Sequence, residues 1–180
     1  MGSKVKAQKV YDLRKSTSSI TRTADTADYA ANDVMVSVAT AGLDYFTFNN
    51  VVDSSCRGRG ELLSVKITSS SYVATGPDLT LWLFDAAIAE VVDNLAFALT
   101  DAEMAYVVGT VVIPTANWRP GTKTVGAGGN QLQFVTEINL PFKALNSEDG
   151  ALLYGILIHE AAYTPVSGET YTVTLYTRSD

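Results

Sequence analysis

Apolar residues recur along this chain at every second position in short runs, and turn-forming residues separate the runs. The segment 79–84, Leu-Thr-Leu-Trp-Leu-Phe, is apolar on both faces, as a strand covered on both sides must be. Near the C-terminus Tyr171, Val173 and Leu175 alternate with Thr170, Thr172 and Thr174, which predicts a strand with one solvated face. The same period places strands at Val34, Val36 and Val38, at Tyr45-Phe46-Thr47-Phe48 beyond the Gly42 turn, and at Leu63, Val65 and Ile67, which alternate with Ser64, Lys66 and Thr68. Further strands are predicted over 106–113, stopped by Pro114, over Leu132, Phe134, Thr136, Ile138 and Leu140, and over 152–159.

Between the strands, Thr75-Gly76-Pro77 and the stretch 146–150 read as turns, and 117–130 reads as a protruding loop rich in Gly and Pro. The region 86–104 breaks the period. Ile88, Val91, Val92, Leu95 and Leu99 follow helical spacing, Asp93-Asn94 interrupts them, and Thr100-Asp101-Ala102-Glu103 matches a capping box, so a long connection with one short helix is expected. About eight strands without strand–helix alternation predict an all-β protein, a jelly-roll-like antiparallel β-sandwich with one helical insertion. An immunoglobulin-type Greek key is the fallback, although the Cys…Trp…Cys spacing of such domains is absent.

Length and composition refine this picture. A chain of 180 residues, 47% hydrophobic, suits one domain with one core. The net charge of -6 argues against a dedicated nucleic-acid binder, which needs a basic face to displace counterions. Charge is uneven, however: Lys4, Lys6, Lys9, Arg14 and Lys15 precede position 20 against Asp12 alone. Residues 1–19 are therefore expected to form an extended basic arm, either docking on an acidic partner or solvated, ahead of a single sandwich domain over 20–180. Neither a secretory leader nor an apolar span of membrane length is expected from the sequence pattern, nor is a membrane partner.

Candidate chemistry is sparse. Cys56 and His159 are each the sole residue of their type, so no disulfide and no site of several Cys and His ligands can form within one chain. Asp78, Asp85, Glu137 and Glu160 are the carboxylates that a glycosidase pair would draw on, against the plainer reading of strand-end solvation. Asp25, Asp28, Asn32 and Asp33 lack EF-hand spacing. No cofactor or metal site is expected. Trp82, between Leu81 and Leu83, reads as core; Trp118, in a polar loop beside Arg119, reads as either a contact anchor or a packed residue. Arg57 and Arg59, spaced by glycine, are candidate ion-pair partners for another protein or hydrated loop charges.

The block 78–86, then Asp93-Asn94, Ala96-Phe97 and Thr100-Asp101-Ala102-Glu103, then Tyr163-Thr164-Pro165-Val166-Ser167-Gly168, resembles a family of small virion structural proteins of tailed bacteriophages. The resemblance covers roughly residues 20–175. It implies a non-enzymatic capsid decoration or cement protein, made in the host cytoplasm and carried on the capsid surface, whose partner is the major capsid protein. Self-association as a homotrimer would fit such a role and would protect sheet edges. The contact residues expected are Lys4, Lys6, Lys9, Arg14, Lys15, Arg57, Arg59, Trp118 and Arg119. A carbohydrate- or receptor-binding jelly-roll module of a phage tail is the alternative.

Overall fold

The computed structural model describes residues 12–24, 26–36, 45–70, 76–89, 91–120, 132–147 and 150–179. Its elements are β1 (Leu13–Thr21), β2 (Val34–Met35), β3 (Phe46–Phe48), β4 (Arg59–Ser69), β5 (Leu79–Phe84), α1 (Asp101–Met104), β6 (Val107–Ile113), β7 (Arg119–Pro120), β8 (Leu132–Lys143), β9 (Leu145–Ser147), β10 (Gly150–His159) and β11 (Thr170–Ser179). One sheet has the order β1-β11-β4-β8-β7, and the other the order β2-β10-β5-β6 with β3 and β9 also on β10. Because β10 pairs with β5 over 154–159, both β2, at 157–158, and β3, at 153–155, must lie on its opposite edge. They act as one interrupted strand.

The antiparallel pairs are nested: β1 with β11, β2 and β3 with β10, β4 with β8, and β5 with β6. This first-with-last wrapping is the jelly roll, and it bears out the predicted all-β sandwich. Strand alternation fills the interior: Leu79, Leu81 and Leu83 of β5, Val65 and Ile67 of β4, and Tyr171, Val173 and Leu175 of β11 are all fully buried in one cluster between the sheets. Burying each such aliphatic side chain stabilises the fold by about 1.5–3 kcal/mol.

A second cluster lies on the outer side of the β2–β10–β5–β6 sheet, where Val34, Val36, Phe84, Ile156 and Ile158 meet Ile88, with Val91, Phe97 and Leu99 packed against them. The expectation of one core is thereby corrected. Outward positions that are also apolar need a cover, and the connection 85–106 supplies it. Its helical spacing produces only α1: residues 93–97 instead turn and pass beside β2, through bonds such as Asn94 N to Val34 O and Val34 N to Leu95 O. Asn94 takes a left-handed φ of 59° there, which ends any continuing helix. The predicted capping box is present, with Thr100 Oγ1 accepting from Glu103 N at 3.3 Å and Thr100 N donating to Glu103 Oε2 at 2.8 Å. The same carboxylate accepts from Ala89 N at 2.6 Å, so it pins the connection as well as the helix.

Two boundaries shift. The arm expected to end at Ser19 gives up its last residues to β1, an edge strand with Ser16 and Ile20 buried and Thr17, Ser19 and Thr21 bonded to Thr174, Thr172 and Thr170. Hydroxyl pairs and ladder bonds hold this strand where apolar residues are few. In β4, Leu62 and not Leu63 faces fully inward, because the β4–β8 register shifts between Leu62 and Ser64, opposite Asn139 with its φ of 57°.

Candidate functional site

The nine expected contact residues divide into three groups. Lys4, Lys6 and Lys9 lie outside the described residues. Lys15 and Arg59 are exposed on the outer face of the β1–β11–β4–β8 sheet, and Arg57 is exposed in the turn that leads into β4. Arg14 is engaged within the chain: its guanidinium meets Asp12 at 2.6 Å and Asp53 at 2.8 Å. Asp53 in turn accepts from Ser55 N, and chiefly this turn bonding, aided by Arg14, holds its carboxyl below the ordinary range. Arg14 therefore ties the start of β1 to the β3–β4 turn.

At the opposite end of the sandwich, Trp118 is buried, the packed one of its two expected roles and not the contact anchor. Its indole Nε1 donates to Pro77 O at 2.8 Å, and its ring packs against Phe134. The ring lies so close to Gly76 that a Cβ there would fall 2.2 Å from Trp118 Cγ. Trp82 is the more open of the two indoles: it projects from the outer side of β5 against Phe97 and is half-buried. Arg119 is exposed beside Trp118, with Nη1 3.3 Å from Ala116 O, and borders an open depression of about 250 Å³ with Asn117, Phe134, Val135 and Thr136.

The densest polar chemistry is buried at that same end. Connections 22–33 and 160–169 run side by side there, joined by Tyr29–Tyr163 and Arg22–Glu169 backbone bonds. Arg22 donates through Nε to the Tyr29 hydroxyl, which donates to Asp93 Oδ1 at 2.7 Å; Asp93 also accepts from Val36 N at 3.0 Å and faces Arg22 Nη2 at 3.8 Å. Burial, reinforced by Asp93, pushes the Tyr29 phenol far above its ordinary range. The His159 ring is stacked between Tyr29, 4.2 Å away, and Tyr163, 5.2 Å away. Neither of its ring nitrogens has a partner among the described residues. Burial, aided by the Arg22 charge, lowers its pKa to about 3, so it is neutral. Glu169, also buried, accepts from the Ser69 and Tyr163 hydroxyls. Sequence reasoning missed this network because Arg22, Asp93 and Glu169 are far apart in the chain; the only local trace was Asp93-Asn94 breaking the helical spacing.

The residues that carry candidate chemistry are dispersed. Cys56 sits in a surface turn beside Ser55, whereas His159 is enclosed by two tyrosine rings. Asp78 and Asp85 flank opposite ends of β5, a separation of about 23 Å at strand rise. Asp78 Oδ1 accepts from Thr115 N at 2.8 Å, and burial raises the Asp85 pKa. Glu137 is exposed on the other sheet. Of the proposed cation ligands, Asp25 lies outside the described residues and Asp33 accepts from Ala30 N at 2.6 Å. Among the described residues no group of three metal-ligating side chains occurs, and no helix is long and apolar enough to cross a membrane.

No protein-family profile and no curated protein matches the chain. Among solved structures it is similar to a chain from turnip yellow mosaic virus, at 10% identity and a TM-score of 0.29, over 99% of this chain and 85% of that one.

Proposed function

We propose that this chain is a non-enzymatic structural protein of a tailed-bacteriophage virion, a decoration or cement protein that binds the major capsid protein lattice and stabilises the head. The observation that carries the reading is the nested strand pairing, a jelly roll, an architecture used by viral capsid domains and lectins. Two clusters, one between the sheets and one beneath the long connection, make it a rigid block suited to bridging neighbouring subunits under load. Self-association as a trimer is part of the proposal, because β1 and β7, the end strands of one sheet, carry backbone edges that a partner strand or surface would cover.

The glycan-binding alternative needs aromatic faces open for stacking on sugars. Trp118 is 5% exposed and Tyr106, at 38%, is the one large aromatic among the exposed hydrophobic side chains described, so support for that reading is weaker. Quantitative mass spectrometry of purified particles from the source lysate tests the proposal. Copy numbers comparable to the major shell protein are expected; a handful per particle would move the chain to the tail, and absence from particles would overturn the virion role.

A further inference from the structure

We infer that the outer face of the β1–β11–β4–β8 sheet is the docking surface of this protein and that its partner is an acidic protein surface. The placing of that partner in a phage shell rests on the function proposed above; the face and the chemistry it selects do not.

Strand register puts the relevant side chains on one side of the sheet. Ser16, Ile20, Val173, Leu175, Val65, Ile67, Phe134 and Phe142 point inward and are buried, so the intervening positions point outward. Across the sheet Arg59 stands opposite Lys143, Arg178 opposite Glu61, Lys15 opposite Tyr176, and Lys66 opposite both Thr174 and Val135. Five cations, Lys15, Arg59, Lys66, Lys143 and Arg178, thus share the face with two carboxylates, Glu61 and Glu137. The protein as a whole carries a charge of -6, so cations are concentrated here against the trend of the chain. The Arg178–Glu61 ion pair satisfies one of them. The Arg59–Lys143 pair sets like charges directly opposite on neighbouring strands, where they repel; the Lys143 charge acts on the Asp85 carboxyl, whereas no ion pair relieves Arg59 among the described residues. Such a conflict, kept on an otherwise consistent sheet, marks a position whose complement comes from outside.

One feature favours an acidic protein over a nucleic acid. Exposed apolar side chains, Leu13 at 69% and Val135 at 54%, interleave with the cations, as in the core of a protein interface and unlike a phosphate track. Four strands, roughly 19 Å wide and 30 Å long by strand geometry, offer an area on the scale of the ~800 Å² that each partner contributes to a standard interface. No segment of this chain covers the face among the described residues, whereas the outer face of the other sheet is covered by 85–106.

The test uses the full chain, a reversal variant (Lys15→Glu, Arg59→Glu, Lys143→Glu), and a charge-keeping one (Lys15→Arg, Arg59→Lys, Lys143→Arg). Binding to source particles depleted of this chain is read by co-sedimentation, and binding of a short oligo-L-glutamate by amide NMR shifts. We expect the reversal to weaken particle binding at least tenfold, the charge-keeping variant to bind like wild type, and oligoglutamate to shift amides of β1, β11, β4 and β8. If wild type and reversal bind particles equally, the docking face is refuted while the virion role stands. If particles bind neither but oligoglutamate shifts the face, the virion role fails and the face stands. Unmoved face amides, or stronger shifts from a single-stranded DNA oligonucleotide at the same salt, overturn the inference. Should the reversal variant melt early, the triple Gln variant carries the same comparison.

Discussion

The outer faces of the two sheets differ in what their strands place outward, and each face is finished accordingly. On β5, β10 and β2 the outward residues include Trp82, Phe84, Ile156, Ile158 and Val34, and the connection 85–106 folds down over them. On β1, β11 and β4 they are Thr17, Ser19, Thr172, Lys66 and Thr68, and the surface stays open. A jelly roll needs only its inner faces to be apolar. Whether an outer face recruits a further layer is decided by one register of side chains, because apolar outward residues gain free energy only when something covers them.

The largest test of this contrast lies at the hinge of the cover. Asp93 anchors the connection beside β2, and Asp93→Ala takes one carboxylate from the buried Arg22 and the acceptor from both the Tyr29 hydroxyl and Val36 N; a loss of about 3–5 kcal/mol is expected in denaturant titration. A loss below 1 kcal/mol would mean that the cover is held by its apolar contacts alone. Next in size, Phe84→Ala on the covered face is expected to cost about 3–5 kcal/mol.

His159 offers a pH-resolved probe of the same end. Its imidazole stays neutral in the fold down to about pH 3, while the unfolded chain takes up a proton near pH 6.5. The stability present above pH 6.5 is therefore lost as pH falls, at a slope approaching about 1.4 kcal/mol per pH unit. His159→Phe keeps the stacking between Tyr29 and Tyr163, removes two unpartnered nitrogens, and should flatten the stability profile between pH 6.5 and 5. An unchanged slope in that window would show that another group titrates there. The smallest effect is expected on the open face: Thr172→Ala, despite its 2.8 Å bond to Ser19, should change stability by no more than about 0.5 kcal/mol. If it costs as much as Phe84→Ala, the two faces are not different in kind.

Period-two spacing by itself determined the sandwich, most of its strands and the polar face of β11, because a strand's alternation records directly which side meets the core. The capping box was equally local, being set by Thr100 and Glu103 three residues apart. What only the tertiary structure decided involves partners distant in sequence. Trp118 is buried because Gly76, forty-two residues earlier, leaves a space for its indole. Ser16 and Ile20 join the sandwich because β11 passes beside them, although the composition around them reads as a tail. Arg22, Tyr29, Asp93 and His159 become one buried network, and Lys15, Arg59 and Lys143 one cationic face, only when strand order brings them together. A single chain position carries its own propensity and period, but neither its neighbours across a sheet nor the cover over its face is encoded locally.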